Sequence, residues 1–389
     1  MTAELAFANA RIVLDDEVVH GSVLVRDGRI ADVSSGPSAV GEDLDGDLLM
    51  PGLVELHTDH LEGHMMPRPG THWDPIPAVL AHDAQFGGAG ATTVFDAVRV
   101  GFLGEGDAAA ESAQAMAHAI QHAVDAGLTR AEHFLHIRCE VAATNTIEQF
   151  EQLADLPIVR LASLMDHTPG ARQYADVEAF RRYMVGKHRV SDAGFDALVA
   201  ERKAIAAEHA GPNRLGIVER AALRGLALAA HDDATLEHVE EAVGFGVRIS
   251  EFPTTLEAAR AAHGHGQFVV MGAPNVVRGG SQSGNVAAVD VHAAGLLDVL
   301  SSDYVPSSPL QAVFLLLGRG AITLPEGVRL VSGNPAAAVG LEDRGRIAPG
   351  LRADLVRVRA YEGAPSEQHP SGAPVPVVRG VWRTGGRVA

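Results

Sequence analysis

The sequence predicts an α/β protein, a (β/α)8 TIM barrel with a small β-sandwich built from both chain ends. Eight short apolar runs alternate with helical stretches through the middle of the chain, and both ends alternate apolar and polar residues. A chain of 389 residues also fits a barrel of about 250 residues plus one smaller domain. We therefore expect the sandwich at residues 1–50 and 336–389 and the barrel at residues 51–335.

Both ends of the chain have the pattern of antiparallel strands. Residues 5–34 alternate in short runs broken by Asp27-Gly28, a pair typical of tight turns between strands. Residues 345–357 and 377–388 have the same texture. Because neither end is long enough to build a core of its own, we expect the two ends to pair into one small domain.

The barrel strands are predicted from runs of β-branched and other apolar residues. They are Leu48–Leu56, Ala91–Phe95, His133–Cys139, Ile158–Met165, Leu226–Ala230, Val247–Phe252, Phe268–Gly272 and Val299–Ser302. Eight strands separated by helices indicate a (β/α)8 barrel.

Helices are expected in the segments between the strands. Residues 108–126 carry apolar side chains four apart, and Ser308-Pro309 is expected as the N-cap and first residue of a helix that reaches Leu317. A further helix, mostly exposed, is expected within residues 185–211. It lies in a long connection after the fourth strand that we expect to form a lid or a dimer contact, and residues 361–376 are expected to form a surface loop.

Composition excludes several classes of partner. A formal net charge of −18 disfavours non-specific nucleic-acid binding. There is no apolar run of about 18 residues and no basic-then-apolar leader, so neither a membrane span nor a signal peptide is expected. The single cysteine, Cys139, rules out an internal disulfide framework and agrees with a reducing compartment. We expect a cytoplasmic homo-oligomer, a dimer, with no nucleic-acid or membrane partner.

Candidate metal ligands follow five of the predicted strands, at the end where barrel active sites form. They are His57 and Asp59 after the first strand, Glu140 after the third, Asp166-His167 after the fourth, His231-Asp232-Asp233 after the fifth and Asp303 after the eighth. His57 and Asp59 are two residues apart, so a strand would point both to the same side. Together the strand ends predict a metal site.

The chemistry of these side chains bounds the metal. Imidazole and carboxylate donors suit a divalent ion, with Zn favoured and Mn, Fe or Ni possible. Lys187 and Lys203 are the only lysines and neither follows a strand-like run, so Glu140 is expected as the bridging ligand. Asp303 is predicted to be the general base, the alternative being a carboxylate that orients a ligand histidine.

Arginines predict an anionic substrate. Arg278 lies in a Gly/Ser-rich loop suited to phosphate oxygens, Arg68 lies between two prolines, and Arg172 follows the fourth strand. The expected substrate-binding residues are Arg68, Arg172, Arg278, Ser281 and Asp232. Arg138 is expected to face the site only if the third strand is distorted. Most of the remaining histidines, including His82, His133 and His136, are expected to be surface or packing residues.

The chain resembles a known family in its ordered motifs. Residues 51–59 and 345–356 resemble the amidohydrolase superfamily. Within that superfamily, the chain resembles a family of diphosphatases that act on a phosphorylated ribose. The matching motifs are at residues 66–69, 81–84, 92–97, 138–140, 163–170, 230–235, 251–255, 271–275 and 301–304. The resemblance covers nearly the whole chain.

The resemblance implies a reaction and assigns site roles. The implied reaction hydrolyses a ribose 5-triphosphate to the 5-phosphate and pyrophosphate, in phosphonate use by the carbon–phosphorus lyase pathway. The implied metal ligands are His57, Asp59, Glu140, His167 and His231, and the implied catalytic carboxylate is Asp303. The superfamily usually has His-x-His on the first strand, so Asp59 leaves one-metal and two-metal sites open. The closer family usually has Asn where His60 stands.

Two other functions compete with this one. The first is hydrolysis of a cyclic amide or deamination of a base, whose weakly charged substrates do not need the three arginines Arg68, Arg172 and Arg278. The second is a non-catalytic metal-binding scaffold, which predicts broken ligand positions, whereas the set here is intact.

Overall fold

A computed structural model describes residues 4–103, 107–172, 181, 192–281, 283–363 and 372–389. Its strands are β1 (Glu4–Val13), β2 (Val18–Arg26), β3 (Arg29–Ser35), β4 (Glu42–Asp43), β5 (Leu48–Pro51), β6 (Leu53–Thr58), β7 (Ala91–Val100), β8 (Glu132–Glu140), β9 (Val159–Met165), β10 (Ala227–His231), β11 (Ile249–Glu251), β12 (Phe268–Gly272), β13 (Val299–Ser301), β14 (Leu355–Tyr361), β15 (Val375–Arg383) and β16 (Gly386–Arg387).

The helices of the described residues fall mainly between the strands β6 to β13, with three more after β13. They are α1 (Leu61–Met65), α2 (Pro75–Gly88), α3 (Asp107–Asp125), α4 (Thr146–Leu153), α5 (Asp192–Arg224), α6 (Leu236–Gly244), α7 (Leu256–Gly264), α8 (Ala273–Arg278), α9 (Ala288–Ala293), α10 (Ser308–Gly318), α11 (Leu324–Val331) and α12 (Gly333–Ala338). None of these is long and apolar enough to cross a membrane.

The two chain ends form one sheet, as the sequence predicts. Across the described residues its order is β16-β15-β14-β5-β1-β2-β3, with β4 paired to β1. β5 and β14 join the ends by antiparallel pairing, from Leu48 opposite Val358 to Pro51 opposite Leu355. The core of this sheet includes Phe7 and Trp382, whose rings meet edge-on with centroids 4.7 Å apart.

The barrel strands form a second sheet in chain order. Within the described part of the chain it has eight strands, β6 to β13, and the pairings between β6 and β7 and from β8 to β12 are parallel. A parallel bridge between Thr58 and Asp303 brings the first strand beside the last, so the barrel is nearly closed. The predicted (β/α)8 fold is confirmed.

The predicted first strand is wrong in one respect, because it is two strands. Leu48–Pro51 belongs to the end sheet and Leu53–Thr58 to the barrel, with Gly52 between them. A Cβ on Gly52 would lie 2.1 Å from Thr92 Oγ1, so the chain can pass Thr92 here only as glycine. An apolar run shows burial and does not show which sheet buries it.

Two helix boundaries also differ from the prediction. The N-cap of α10 is Ser307, one residue before the predicted Ser308. α5 runs past Pro212 to Arg224, whereas the prediction ended it at residue 211; residues 185–191 lie outside the described residues. Packing outweighs the missing proline donor, because Asn213 donates to the carbonyls of Val141 and Ala143 and Ile217 is fully buried.

The chain divides into two compact units by its internal contacts. Unit 1 comprises Met1–Asp96, His122–Phe134 and Met271–Ala389, and unit 2 comprises Ala97–Gln121 and Leu135–Val270. Unit 1 contains the end sheet together with His57, Asp59 and Asp303, whereas unit 2 contains Glu140, His167, His231 and Asp232. The predicted boundaries of sandwich and barrel stay a prediction.

Candidate metal and active site

In unit 2 the predicted ligands stand at adjacent strand ends. Glu140 and His231 are the last residues of β8 and β10, and His167 follows β9 by two residues. The strands are parallel and in register, with Glu140 opposite Met165, so their carboxyl ends meet at one edge. The structure therefore brings Glu140, His167 and His231 together as the sequence predicts, although their roles stay predictions.

Each of the two imidazoles touches a buried glutamate through Nδ1. His167 Nδ1 lies 2.6 Å from Glu140 Oε2, and the His167 main-chain N–H donates to Glu140 Oε1 at 3.1 Å. His231 Nδ1 lies 2.7 Å from Glu251 Oε2. The second oxygen of Glu251, Oε1, lies 3.9 Å from Nδ1 of the buried His136.

A set of donor atoms that fits a divalent cation lies on the other side of these rings. Asp232 Oδ2 is 3.3 Å from His231 Nε2 and 3.8 Å from His167 Nε2. One donor from each of the three side chains lies within 4.8 Å of the others. Asp232 Oδ2 is buried and accepts no hydrogen bond from the described residues. Two imidazoles and an unsatisfied carboxylate oxygen are donors that Zn and related ions prefer.

The charges at this point favour a cation. Burial by itself would lower the pKa of His167, but the carboxylates of Glu140 and Asp232 raise it to about 9. Burial by itself would raise the pKa of Asp232, but the neighbouring His231 and His167 lower it. The site therefore stabilises positive charge next to an ionised Asp232.

Left-handed backbone marks several strand ends. The φ angles are 61° at Asp232, 54° at Phe252 and 55° at Asp303. The N–H of Asp232 donates to the carbonyl of Glu251 at 2.9 Å, and that of Phe252 to Val270 at 2.9 Å. Non-glycine residues in this region cost free energy and cluster at functional sites.

In unit 1 a buried glutamate ties the first barrel strand to the last. Glu55 Oε1 accepts from the His57 N–H at 2.8 Å and from Ser301 Oγ at 2.5 Å, and Glu55 Oε2 accepts from the Ser302 N–H at 2.6 Å. The Asp303 N–H donates to the His57 carbonyl at 3.2 Å. The structure therefore holds His57 beside Asp303, and Asp59 follows half-buried. Burial raises the pKa of Glu55.

The predicted phosphate-binding residues of unit 1 lie on exposed segments. Arg68 is exposed in a turn closed by its bridge to Thr71. Arg278 is exposed at the end of α8, before Gly279 with φ 81°. Ser281 Oγ accepts from the Ser283 N–H at 3.1 Å. Their contact with substrate stays a prediction.

Arg172 in unit 2 is placed differently from these residues. It is 6% exposed, and its guanidinium is ion-paired with Asp233 and lies 3.3 Å from Glu241 Oε2. A second arginine, Arg214, lies 3.2 Å from Glu241 Oε1. The guanidinium of Arg172 is thus already surrounded by carboxylates.

Sequence reasoning missed Glu251 and Glu55, and it assigned the wrong face of the strand to Arg138. Glu251 is the last residue of β11, but the predicted sixth strand ran one residue further, to Phe252, so the rule for strand ends passed over it. Glu55 precedes His57 by two residues and therefore shares its face of the strand. The same alternation places Arg138 on the face of Glu140 without distortion, which corrects the expectation for Arg138. The Arg138 side chain is partly buried, and its Nε lies 3.4 Å from Met165 Sδ.

His82, His133 and His136 were expected at the surface or in packing. Two of them, His82 and His133, share the carboxylate of Asp96. His82 Nε2 lies 2.7 Å from Asp96 Oδ1, His133 Nδ1 lies 2.7 Å from Asp96 Oδ2, and His133 Nε2 lies 3.3 Å from Asp83 Oδ1. All of these side chains are buried. Although His82, Asp96 and His133 could hold an ion, each ring bonds a separate oxygen of Asp96, so hydrogen bonds already satisfy the set.

A nearly closed parallel barrel with imidazoles and carboxylates at its strand ends defines a barrel enzyme of the metal-dependent hydrolase class. The model of the amidohydrolase family matches residues 48–387, and this chain belongs to that family. It is similar to the alpha-D-ribose 1-methylphosphonate 5-triphosphate diphosphatase of Escherichia coli (strain K12), with 44% identity over 98% of this chain and 99% of that protein. The resemblance predicted from the sequence is confirmed.

Solved structures share the fold. N-isopropylammelide isopropylaminohydrolase from Burkholderia multivorans ATCC 17616 matches with a TM-score of 0.62 and 18% identity, covering 99% of this chain and 98% of that one. 5-Methylcytosine deaminase from Klebsiella pneumoniae matches with a TM-score of 0.62 and 14% identity, covering 99% and 97%. At these identities the likeness shows the fold alone.

Proposed function

We propose that this chain hydrolyses alpha-D-ribose 1-methylphosphonate 5-triphosphate to the 5-phosphate and pyrophosphate, in phosphonate use by the carbon–phosphorus lyase pathway. The observation that carries the proposal is the 44% identity to the E. coli diphosphatase over 98% of this chain and 99% of that protein. Similarity of that extent leaves no domain of either protein unmatched. The convergent donors of His167, His231 and Asp232 support a metal-dependent hydrolysis.

The proposed metal ligands are His57, Asp59, Glu140, His167 and His231, which would hold one or two divalent ions. Zn is favoured by the imidazole and carboxylate donors, and Mn, Fe or Ni would also fit. A divalent ion here supplies positive charge that acidifies water and offsets the charge of the phosphates.

Asp303 is the proposed general base. Its carboxylate would accept the proton of the attacking water as a new P–O bond forms and the bond linking the α-phosphate to the pyrophosphate group breaks. The bridge to Thr58 and the N–H···O bond to His57 fix the backbone of Asp303. The left-handed φ of 55° at Asp303 costs conformational free energy, and residues in such conformations cluster at functional sites.

Arg68, Arg278 and Ser281 are proposed to bind phosphoryl oxygens, because guanidinium pairs with phosphate through two parallel hydrogen bonds. Arg172 is proposed to join them, which requires it to exchange Asp233 or Glu241 for phosphate. Asp232 is proposed as a further substrate contact. We also propose that the protein is a cytoplasmic homodimer without a nucleic-acid partner, which light scattering and a filter-binding assay with DNA and RNA would check.

The test is to incubate metal-quantified protein with the triphosphate in ¹⁸O-labelled water and to follow pyrophosphate. We expect pyrophosphate and the 5-phosphate in equal amounts, with the label in one product. Asp303→Asn should lower kcat by about 10²-fold or more, because general-base catalysis contributes that much. The matched control, Asp290→Asn on the exposed surface of α9, should keep wild-type turnover.

Three other results would each contradict part of the proposal. Turnover of a cyclic amide without pyrophosphate release would favour the amidohydrolase alternative. Metal binding without turnover of either substrate would favour the scaffold alternative. Near-normal turnover by metal-loaded Asp303→Asn would remove Asp303 as the base.

A further inference from the structure

In unit 2 one carboxylate lies between two guanidinium groups, those of Arg172 and Arg214, which we call the arginine pair. Glu241 Oε1 lies 3.2 Å from Arg214 Nη1, and Glu241 Oε2 lies 3.3 Å from Arg172 Nη2. Each oxygen of the carboxylate therefore meets one arginine. Two guanidinium groups that share one anion in this way form a binding site for an anion with several oxygens, such as a phosphate.

The carboxylates around the arginine pair differ in how firmly they are held. Asp233, which is ion-paired with Arg172, is fully buried. The side chain of Glu241 is 39% exposed on the surface of α6. Asp233 cannot leave without stranding a buried charge, whereas Glu241 can turn into solvent. Glu241 is therefore the carboxylate that an incoming anion can replace.

Arg214 is held rigidly and has an unused donor. The preceding residue, Asn213, anchors α5 by donating to the carbonyls of Val141 and Ala143 at 2.9 Å and 2.7 Å. Arg214 Nη2 lies 3.4 Å from Asp166 Oδ2. Arg214 Nε is buried and has no hydrogen-bond partner among the described residues. A buried donor of this kind is costly unless an acceptor reaches it, and a phosphoryl oxygen would be such an acceptor.

The arginine pair is held at the strand ends that carry two of the proposed metal ligands. Its partner Asp166 directly precedes His167, and its partner Asp233 lies two residues after His231. The two strands, β9 and β10, are paired in parallel. A triphosphate that reacts at its α-phosphate carries two further phosphates, which leave as pyrophosphate. Guanidinium groups beside the reaction would bind that leaving group.

We propose that Arg172 and Arg214 together bind the pyrophosphate portion of the substrate, and that Glu241 occupies their site as an internal competitor until the substrate displaces it. This rests on the proposed function in taking a triphosphate as the substrate. It adds Arg214 to the substrate-binding residues and makes Glu241, rather than Asp233, the group that Arg172 exchanges. A weakly charged substrate has no group that would displace Glu241, so the contact also selects against such substrates.

The test measures the dissociation constant of pyrophosphate by calorimetry and the KM for the triphosphate, with wild-type and variant protein of equal metal content before and after titration. Arg214→Gln should raise both constants by about 10-fold to 100-fold and change kcat less, because charge-assisted hydrogen bonds to phosphate are lost. Glu241→Gln should lower both constants by about 3-fold to 10-fold, because the competing charge is gone.

Further variants separate this role from a structural one. If Glu241 only tied α6 to its neighbours, Glu241→Gln would lose ion pairs and could not tighten pyrophosphate binding. In the double variant Arg214→Gln with Glu241→Gln the gain should disappear, because both residues act at one site. Arg214→Lys keeps the charge and should restore part of the binding. The matched control is Glu240→Gln, which removes the same charge from the next exposed position of α6 and should keep wild-type constants.

Three results would overturn the inference. They are unchanged or weaker pyrophosphate binding by Glu241→Gln, wild-type binding by Arg214→Gln, and no pyrophosphate binding by the wild-type protein. Each of them leaves the proposed function standing if the wild-type protein still releases pyrophosphate from the triphosphate. Conversely, the expected shifts in the dissociation constant of pyrophosphate without hydrolysis of the triphosphate would overturn the proposed function and keep the anion site.

Discussion

Glu55 shows how much of this barrel depends on a single side chain. Its two oxygens accept from the main-chain N–H groups of His57 and Ser302 and from the hydroxyl of Ser301, and the residue is 4% exposed. A buried carboxylate with three donors is stable only while all three are present. Glu55 therefore joins the first and last barrel strands at the point where His57 and Asp303 are held.

Glu55→Gln is expected to weaken both folding and turnover. The amide nitrogen would face a donor that the carboxylate accepted, leaving a buried group unsatisfied at a cost of about 1–3 kcal/mol. Urea unfolding of metal-free protein measures the loss, and the steady-state kcat reports displacement of Asp303. Glu17→Gln, at an exposed position of the same unit, is the control. Wild-type stability of Glu55→Gln would show that Glu55 does not join the strands.

Residue positions at strand ends were predictable, but their pairings were not. The position after an apolar strand was enough to find His57, Glu140, His167, His231 and Asp303. That Glu251 would lie behind His231, and that Arg172 would meet Asp233 and Glu241, depends on side-chain directions set by the twist and stagger of the barrel. Spacing along one chain segment carries no information about these directions.

At the scale of elements, a buried network joins one helix to two strands. His82 belongs to α2, Asp96 to β7 and His133 to β8, and both histidines contact Asp96. The second ring nitrogen of His133 contacts Asp83 of α2. Burial opposes charge on His133, but Asp96 and Asp83 raise its pKa to about 9. Burial likewise opposes charge on Asp96, but His133 and His82 lower its pKa to about 2.

Stability should therefore fall as pH rises from about 6.5 to about 9. The pKa of His133 is raised above its ordinary 6.5, so its contribution is complete below 6.5 and is lost as pH rises through about 9. The loss is on the order of 3 kcal/mol. Asp96 acts oppositely, and its contribution is lost as pH falls from 3.8 through about 2.

Urea unfolding of metal-free protein across this alkaline range measures the effect. Besides Asp96 and Asp83, the charged or titratable neighbours are His82 and Arg130, of which Arg130 is held at 3.1 Å from Asp83. His133→Gln should flatten the decline, although it will also lower stability at every pH. An equal decline in this variant would assign the effect to other groups.

At the scale of the whole molecule, the chain ends pack into a shared core. Trp382 of β15 is 2% exposed and meets Phe7 of β1, which is fully buried. The composition and alternation of the ends predicted that they would pair. The split at Gly52 could not be predicted, because two consecutive buried strands have the same apolar pattern whichever sheet buries each of them.

Trp382→Ala is expected to cost about 3–5 kcal/mol of unfolding free energy, as for other large buried side chains truncated to alanine. Thermal and urea unfolding measure the change. Trp73→Ala is the control, because Trp73 is 57% exposed. If Trp382→Ala and Trp73→Ala lowered the unfolding free energy equally, burial of Trp382 in the shared core would not stabilise the fold.

The pairing of β5 with β14 also fixes an order of events during synthesis. β5 ends at Pro51 and its partner begins at Leu355, about three hundred residues later. While the ribosome makes the barrel, β1, β2 and β3 can already pair, but one edge of β5 stays open until the last strands emerge. The first barrel strand, β6, begins two residues after Pro51. The barrel therefore starts to form directly after β5, while β5 still lacks its pairing with β14.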